Sequence, residues 1–73
     1  MERKKAEAVI EAILFTMGES VEVSRLAEVI EEDVKTTREI IKEMKERLDG
    51  EERGISIIEL EDAYQMCTKG EMY

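Results

Sequence analysis

GESVEVSRLAEVIEEDVKTTREIIKEM, residues 18–44, decides the fold. SVEV alternates polar and apolar residues, which predicts a very short edge strand that turns Val21 and Val23 inward. Ser24 then stands as N-cap of a second helix, where its hydroxyl can accept an otherwise unpaired backbone N–H. Leu26, Ala27 and Ile30 are that helix's buried face, and EED makes the turn. A third helix is predicted over residues 35–48, with Val34, Thr37, Ile41, Met44 and Leu48 on one face and Ile40 beside them. Its start is set either by Asp33 as N-cap or by a capping box of Thr36 with Glu39. Asp49-Gly50 ends it. Two short helices joined by a tight turn form a helix-turn-helix, a motif that commonly places its second helix against DNA.

The flanks complete the architecture. Upstream, residues 3–17 carry Ala6, Ile10, Ile13 and Met17 at helical spacing, flanked by Val9 and Leu14, and Gly18 fits a left-handed C-cap. Downstream, GISIIEL and YQMCT are short and rich in β-branched or large side chains, which predicts a hairpin. A turn over Glu61–Ala63 sets Leu60 opposite Tyr64 and Ile58 opposite Met66, gathering the apolar set on one face. The predicted fold is mainly α with a small β-hairpin: a winged helix-turn-helix of three helices plus a two- or three-stranded wing, one domain over residues 1–73.

Composition narrows the function. A chain of 73 residues buries only about 60% of its unfolded surface, so a partner is expected. Hydrophobic residues at 42% supply a packed core, which excludes general disorder. With no histidine, the commonest general acid/base and metal ligand is missing. The acidic runs lack calcium-loop spacing, and there is no phosphate-binding loop, dinucleotide fingerprint or nucleophile elbow. No catalytic residue, metal or cofactor is therefore expected. One cysteine fits a reduced, cytoplasmic setting. The basic-then-apolar opening MERKKAEAVIEAILF is interrupted by Glu7 and Glu11 and lacks a cleavage site, so neither a secretory signal nor a membrane span is expected.

Charge argues against DNA reading. The net charge is -8. Residues 35–48 hold five cations against three glutamates, but Glu39, Glu43 and Glu46 lie on the outward face of the third helix. Residues 49–73 hold seven acids against two bases, and the expected wing tip is Glu61-Asp62. Non-specific DNA affinity needs phosphate neutralisation, which such a surface opposes. The bland reading of the third helix is a solvated face with Lys42–Glu46 and Glu43–Arg47 pairs. The rival reading is a winged-helix transcription regulator using Lys35, Thr36, Thr37, Arg38 and Lys42.

Some apolar residues are left over once the core is built. Phe15 lies off the first helix's stripe, close to Ala8 and Ala12; it either packs under the hairpin or forms an association surface. With Ile58 and Leu60 turned inward, Ile55, Ile57 and Cys67 face away, and a two-sided apolar sheet needs a cover on both sides. Cys67 alone also reads as a small half-buried hydrophobe. The residues singled out for a dimer or partner interface are Phe15, Ile55, Ile57 and Cys67.

Two blocks carry a family resemblance. AVIEAILFTMGESVEVSRLAEVI resembles the opening of segregation and condensation protein B, in which the first helix ends in an "EAiLF…GE" pattern followed by "LAevl". RGISIIELEDAYQMCTKGEMY resembles that family's wing, "Gi.lvev..gyql.T". Two local departures are the tip EDA, where glycines are frequent, and TKGE, where a proline is common. Family members have two winged-helix domains, so this chain is expected to be the N-terminal half. The resemblance implies a non-enzymatic subunit of a bacterial condensin-type complex that acts in chromosome condensation, segregation and cell division. It implies a homodimer that binds a kleisin, segregation and condensation protein A, and through it the structural-maintenance-of-chromosomes (SMC) ATPase. It further implies a cytoplasmic, nucleoid-associated location and no sequence-specific DNA binding.

Overall fold

A computed structural model describes residues 1–51 and 54–69. In chain order the elements are α1 (Arg3–Met17), β1 (Val21–Glu22), α2 (Val23–Ile30), α3 (Val34–Gly50), β2 (Ile55–Glu59) and β3 (Ala63–Thr68). The strands form one antiparallel sheet in the order β1-β3-β2. Three helices plus this three-stranded wing make the expected winged helix-turn-helix.

Local chemistry sets the helix boundaries. Gly18 adopts φ 66° at the end of α1, and its N–H donates to the Leu14 carbonyl. Only glycine takes that left-handed geometry without steric penalty. Asp33 caps α3 by accepting the Thr36 N–H at 2.7 Å. That bond settles the two possible starts: Thr36 is the capped residue and not the cap. Val34, expected in the core stripe, is 40% exposed because it is the first helical residue. Met17, the last residue of α1, is likewise exposed although core spacing predicted it buried.

Ser24 does not cap α2. The helix starts one residue earlier, at Val23, with Glu22 at the cap position and no side-chain cap bond. The Val23 N–H donates instead to the carbonyl of Asp62, at 2.8 Å, in the hairpin turn. A backbone acceptor supplied by the folded wing replaces the serine hydroxyl. At the other end of α2, Glu31 takes φ 59°, a left-handed C-cap made by a residue other than glycine.

The core collects Ile10 and Leu14 of α1, Leu26 and Ile30 of α2, Ile40 and Ile41 of α3, and Ile57, Tyr64 and Met66 of the wing. Thr37 is also fully buried, its hydroxyl donating to the Asp33 carbonyl at 2.8 Å. Val21 and Val23 both point inward, as their alternation predicted.

The hairpin register differs from the expected one by a residue. Ile57 opposes Met66, Ile58 opposes Gln65 and Glu59 opposes Tyr64. Side chains alternate along a strand, so a one-residue slip exchanges its two faces. Ile57 is therefore 0% exposed in the core, while Leu60 is 43% exposed in the turn. The cause is β1. It pairs Glu22 with Ala63 and Val21 with Tyr64, which draws Ala63 into the sheet and leaves Leu60, Glu61 and Asp62 to make the turn. The Leu60 N–H donates to the Ala63 carbonyl and closes it.

This register makes an asymmetric prediction for two adjacent isoleucines. Ile57→Ala opens a core cavity and should cost about 2–5 kcal/mol, whereas Ile58→Ala should cost about 1 kcal/mol or less. Urea denaturation of both variants checks this; equal losses would contradict the register.

Candidate functional site

Three charged residues of α3, Arg38, Glu43 and Arg47, are engaged with other elements of the domain. Arg38 donates from Nη1 to the Tyr64 hydroxyl at 3.3 Å, and from Nη2 to the Glu61 carbonyl at 3.4 Å and Asp62 Oδ1 at 3.3 Å. It thereby ties the first half of α3 to the wing tip. Arg47 pairs with Glu7 of α1 at 2.7 Å, and Glu43 pairs with Arg3. These interhelical pairs replace the Glu43–Arg47 pair expected along α3. Glu7, which lies between Arg3 and Arg47, holds the Arg47 guanidinium above its ordinary pKa. Of the five residues a DNA reader would use, Thr37 is buried and Arg38 is bound to the wing, while Lys35 and Lys42 are exposed and Thr36 is half-buried.

A second set of bonds fixes the base of the wing. The buried Ser56 hydroxyl donates to Asp49, which also accepts from Lys45 Nζ at 2.9 Å. Lys69 Nζ donates to the carbonyls of Leu48 and Glu51, both at 2.8 Å, satisfying acceptors that the end of α3 leaves open. The hydrogen bonds from Ser56 and then Lys45 hold the Asp49 carboxyl below its ordinary pKa. Hydrogen bonds from Thr36 do the same for Asp33.

The residues singled out for association stand elsewhere, Phe15 near the C-terminal end of α1 and the others in the wing. Phe15 is 74% exposed, so it does not pack under the hairpin. It is the wall shared by two hollows. One, of about 370 Å³, is lined by Ala8, Glu11, Ala12 and Phe15. The other, of about 260 Å³, runs from Leu14, Phe15 and Gly18 to Ile55, Met66 and Cys67 of the sheet. Three of the four interface candidates, Phe15, Ile55 and Cys67, thus line one groove. Ile55 is half-buried there and Cys67 is buried.

Ile57, the fourth, is a correction: it lies inside the core because of the register and has no surface to offer. Leu60 and Met17 are exposed apolar residues although their spacing places them with the core. Among the described residues no group of three or more His, Cys, Asp or Glu is placed to hold a metal, and no helix is long and apolar enough to cross a membrane.

Residues 8–73 match the family model described as segregation and condensation complex subunit ScpB. The chain is 62% identical over its 73 residues to segregation and condensation protein B of Lachnoclostridium phytofermentans, spanning 39% of that protein. It is 38% identical over 73 residues to the same protein of Ruminiclostridium cellulolyticum, again spanning 38% of it. The chain therefore spans less than two fifths of these relatives' length. Its fold is similar to a crystal structure of a dimer of the ScpB N-terminal domain complexed with ScpA peptide, with TM-score 0.84 and 35% identity, over 93% of this chain and 85% of that one. ScpB from Mycobacterium tuberculosis shares the fold at TM-score 0.87 and 22% identity, over 99% of this chain and 45% of that one.

The two lowered carboxyls predict an acid sensitivity with a definite sign. A carboxyl whose pKa is depressed by folding adds stability above its unfolded value, and that stability is lost as pH falls through the folded value. Denaturation midpoints should therefore drop below about pH 4, and Asp49→Asn should flatten that drop while lowering stability at pH 7. An unchanged acid slope in the variant would count against the Asp49–Ser56 link.

Proposed function

Because the chain belongs to the segregation and condensation complex subunit ScpB family, we propose that it works as an architectural binding module. In this reading it is the N-terminal winged-helix half of a two-domain, non-enzymatic subunit. It pairs with a second copy and holds the kleisin, segregation and condensation protein A, which joins it to an SMC ATPase. The complex acts in the cytoplasm, on the nucleoid, in chromosome condensation and segregation.

The observation that carries this reading is the open groove beside the exposed Phe15, lined by Leu14, Ile55, Met66 and Cys67 together with Gln65 and Thr68, in a fold similar to a dimer that holds an ScpA peptide. The mechanism is burial: covering an aliphatic or aromatic side chain contributes about 1.5–3 kcal/mol. Phe15 with Ile55 and the rim of Cys67 offers several such groups on a domain whose own core is small. The acidic surface fits a protein partner better than a duplex, since net charge -8 opposes phosphate approach. The rival, a transcription regulator reading DNA through α3, is weakened by the Arg38 tie to the wing.

Phe15→Ala combined with Ile55→Ala should weaken self-association about 30-fold or more, as expected when two central apolar contacts are truncated. Light scattering across concentration reads this as a fall from dimer to monomer mass. A variant that keeps the parent's mass would refute the surface assignment. Tight, steeply salt-dependent binding to random duplex would favour the regulator instead.

A further inference from the structure

The turn between α2 and α3 carries apolar surface of its own. Val29, next to the last residue of α2, is 44% exposed, and Val34, which opens α3, is 40% exposed. Met1 is brought to the same turn by its ammonium, which pairs with Glu32 at 3.3 Å, and its side chain is exposed as well. None of the three belongs to the core. They lie at the opposite end of α1 from Phe15, about 20 Å away along that helix. The charge beside them has one dominant sign, since residues 28–35 hold four acids against one lysine. Glu32 is taken by the Met1 ammonium and Asp33 by the Thr36 N–H. Glu28 and Glu31 are exposed and, among the described residues, form no ion pair. Both stand at the negative end of the α2 dipole, and the last turn of α2 holds no base. Within one chain that placement is unfavourable.

An exposed apolar patch rimmed by polar groups marks an interaction site, and the sign of the rim selects its occupant. We infer that the α2–α3 turn docks a lysine- or arginine-rich segment of a protein partner, which sets an apolar side chain against Met1, Val29 and Val34. The cations of that segment meet Glu28 and Glu31 and the negative end of the α2 dipole, which reverses their unfavourable placement. The methylene stems of its lysines and arginines extend the cover over the valines. A nucleic-acid duplex is repelled by the same carboxylates, and a bare metal ion makes no use of the valines. Only a chain that is both cationic and apolar answers the whole surface. The site is separate from the groove beside Phe15, so both can be occupied at once.

The test titrates the isotope-labelled 73-residue chain with an acetylated, amidated peptide of repeated Lys-Leu-Lys-Lys units at low salt, followed by backbone amide shifts. Shifts are expected in residues 28–35. The wing tip, with Glu59, Glu61 and Asp62 around an exposed Leu60, is the internal control and should move little. Val29→Ser combined with Val34→Ser should weaken binding about tenfold, as should replacing the peptide's leucines by serine. Glu28→Gln combined with Glu31→Gln should weaken it about threefold or more, an effect that fades as salt is raised. Glu31→Gly separates docking from stability. Glu31 holds φ 59°, a geometry glycine takes without strain, so this variant should keep or raise the thermal midpoint while binding more weakly. Circular dichroism confirms that each variant is folded. The inference is overturned if the shifts spread evenly over residues 28–35 and 59–62, which is charge attraction without a site. It is equally overturned if the valine variant binds like the parent, or if magnesium alone reproduces the shifts.

Discussion

The Arg38 guanidinium reaches from α3 to Tyr64, Glu61 and Asp62 at the tip of the wing, while Lys69 reaches from the wing's base to the carbonyls at the end of α3. Between these two points Ser56 is bonded to Asp49, and Ile57 enters the core formed by the three helices. The hairpin is held at both ends by the helix that a DNA reader would leave free. Each contact is modest alone, with surface ion pairs contributing about 0–1 kcal/mol. Together they fix the sheet against the helices, and they position the end of α1 beside Ile55 and Cys67.

The same arrangement determines which surfaces are available. Two of the α3 cations are tied within the domain, Arg38 to the wing and Arg47 to Glu7 of α1. What remains outward on α3 is mixed in sign, with Lys35, Glu39, Lys42 and Glu46 exposed. The side that stays apolar and open is built from α1 and the sheet, around Phe15. The helix-turn-helix here supplies a compact frame, and the open hollows beside Phe15 lie outside the motif.

Much of this was legible in the sequence, and the exceptions have physical causes. The three helices could be read because each has a regular apolar stripe, and because Gly18 and Asp33 mark boundaries by backbone chemistry that is local to them. The start of α2 could not, because its first N–H is satisfied by Asp62, 39 residues away along the chain. The hairpin register could not either. Ile57 and Ile58 are adjacent and equally apolar, so either suits the core, and only the pairing of Glu22 with Ala63 decides between them. Phe15 was visible as a residue off its stripe; Ile57 was misplaced by the register alone. Arg38 read as a candidate for phosphate because its partners in the wing cannot be seen from α3.

In the proposed assembly, association uses the α1 and sheet side and leaves α3 exposed. Hydrogen–deuterium exchange on the chain, compared between dilute and concentrated samples, tests it most directly. Added protection is expected in residues 8–18 and 55–68 on concentration, with residues 35–47 unchanged. Added protection confined to residues 35–47 would contradict it.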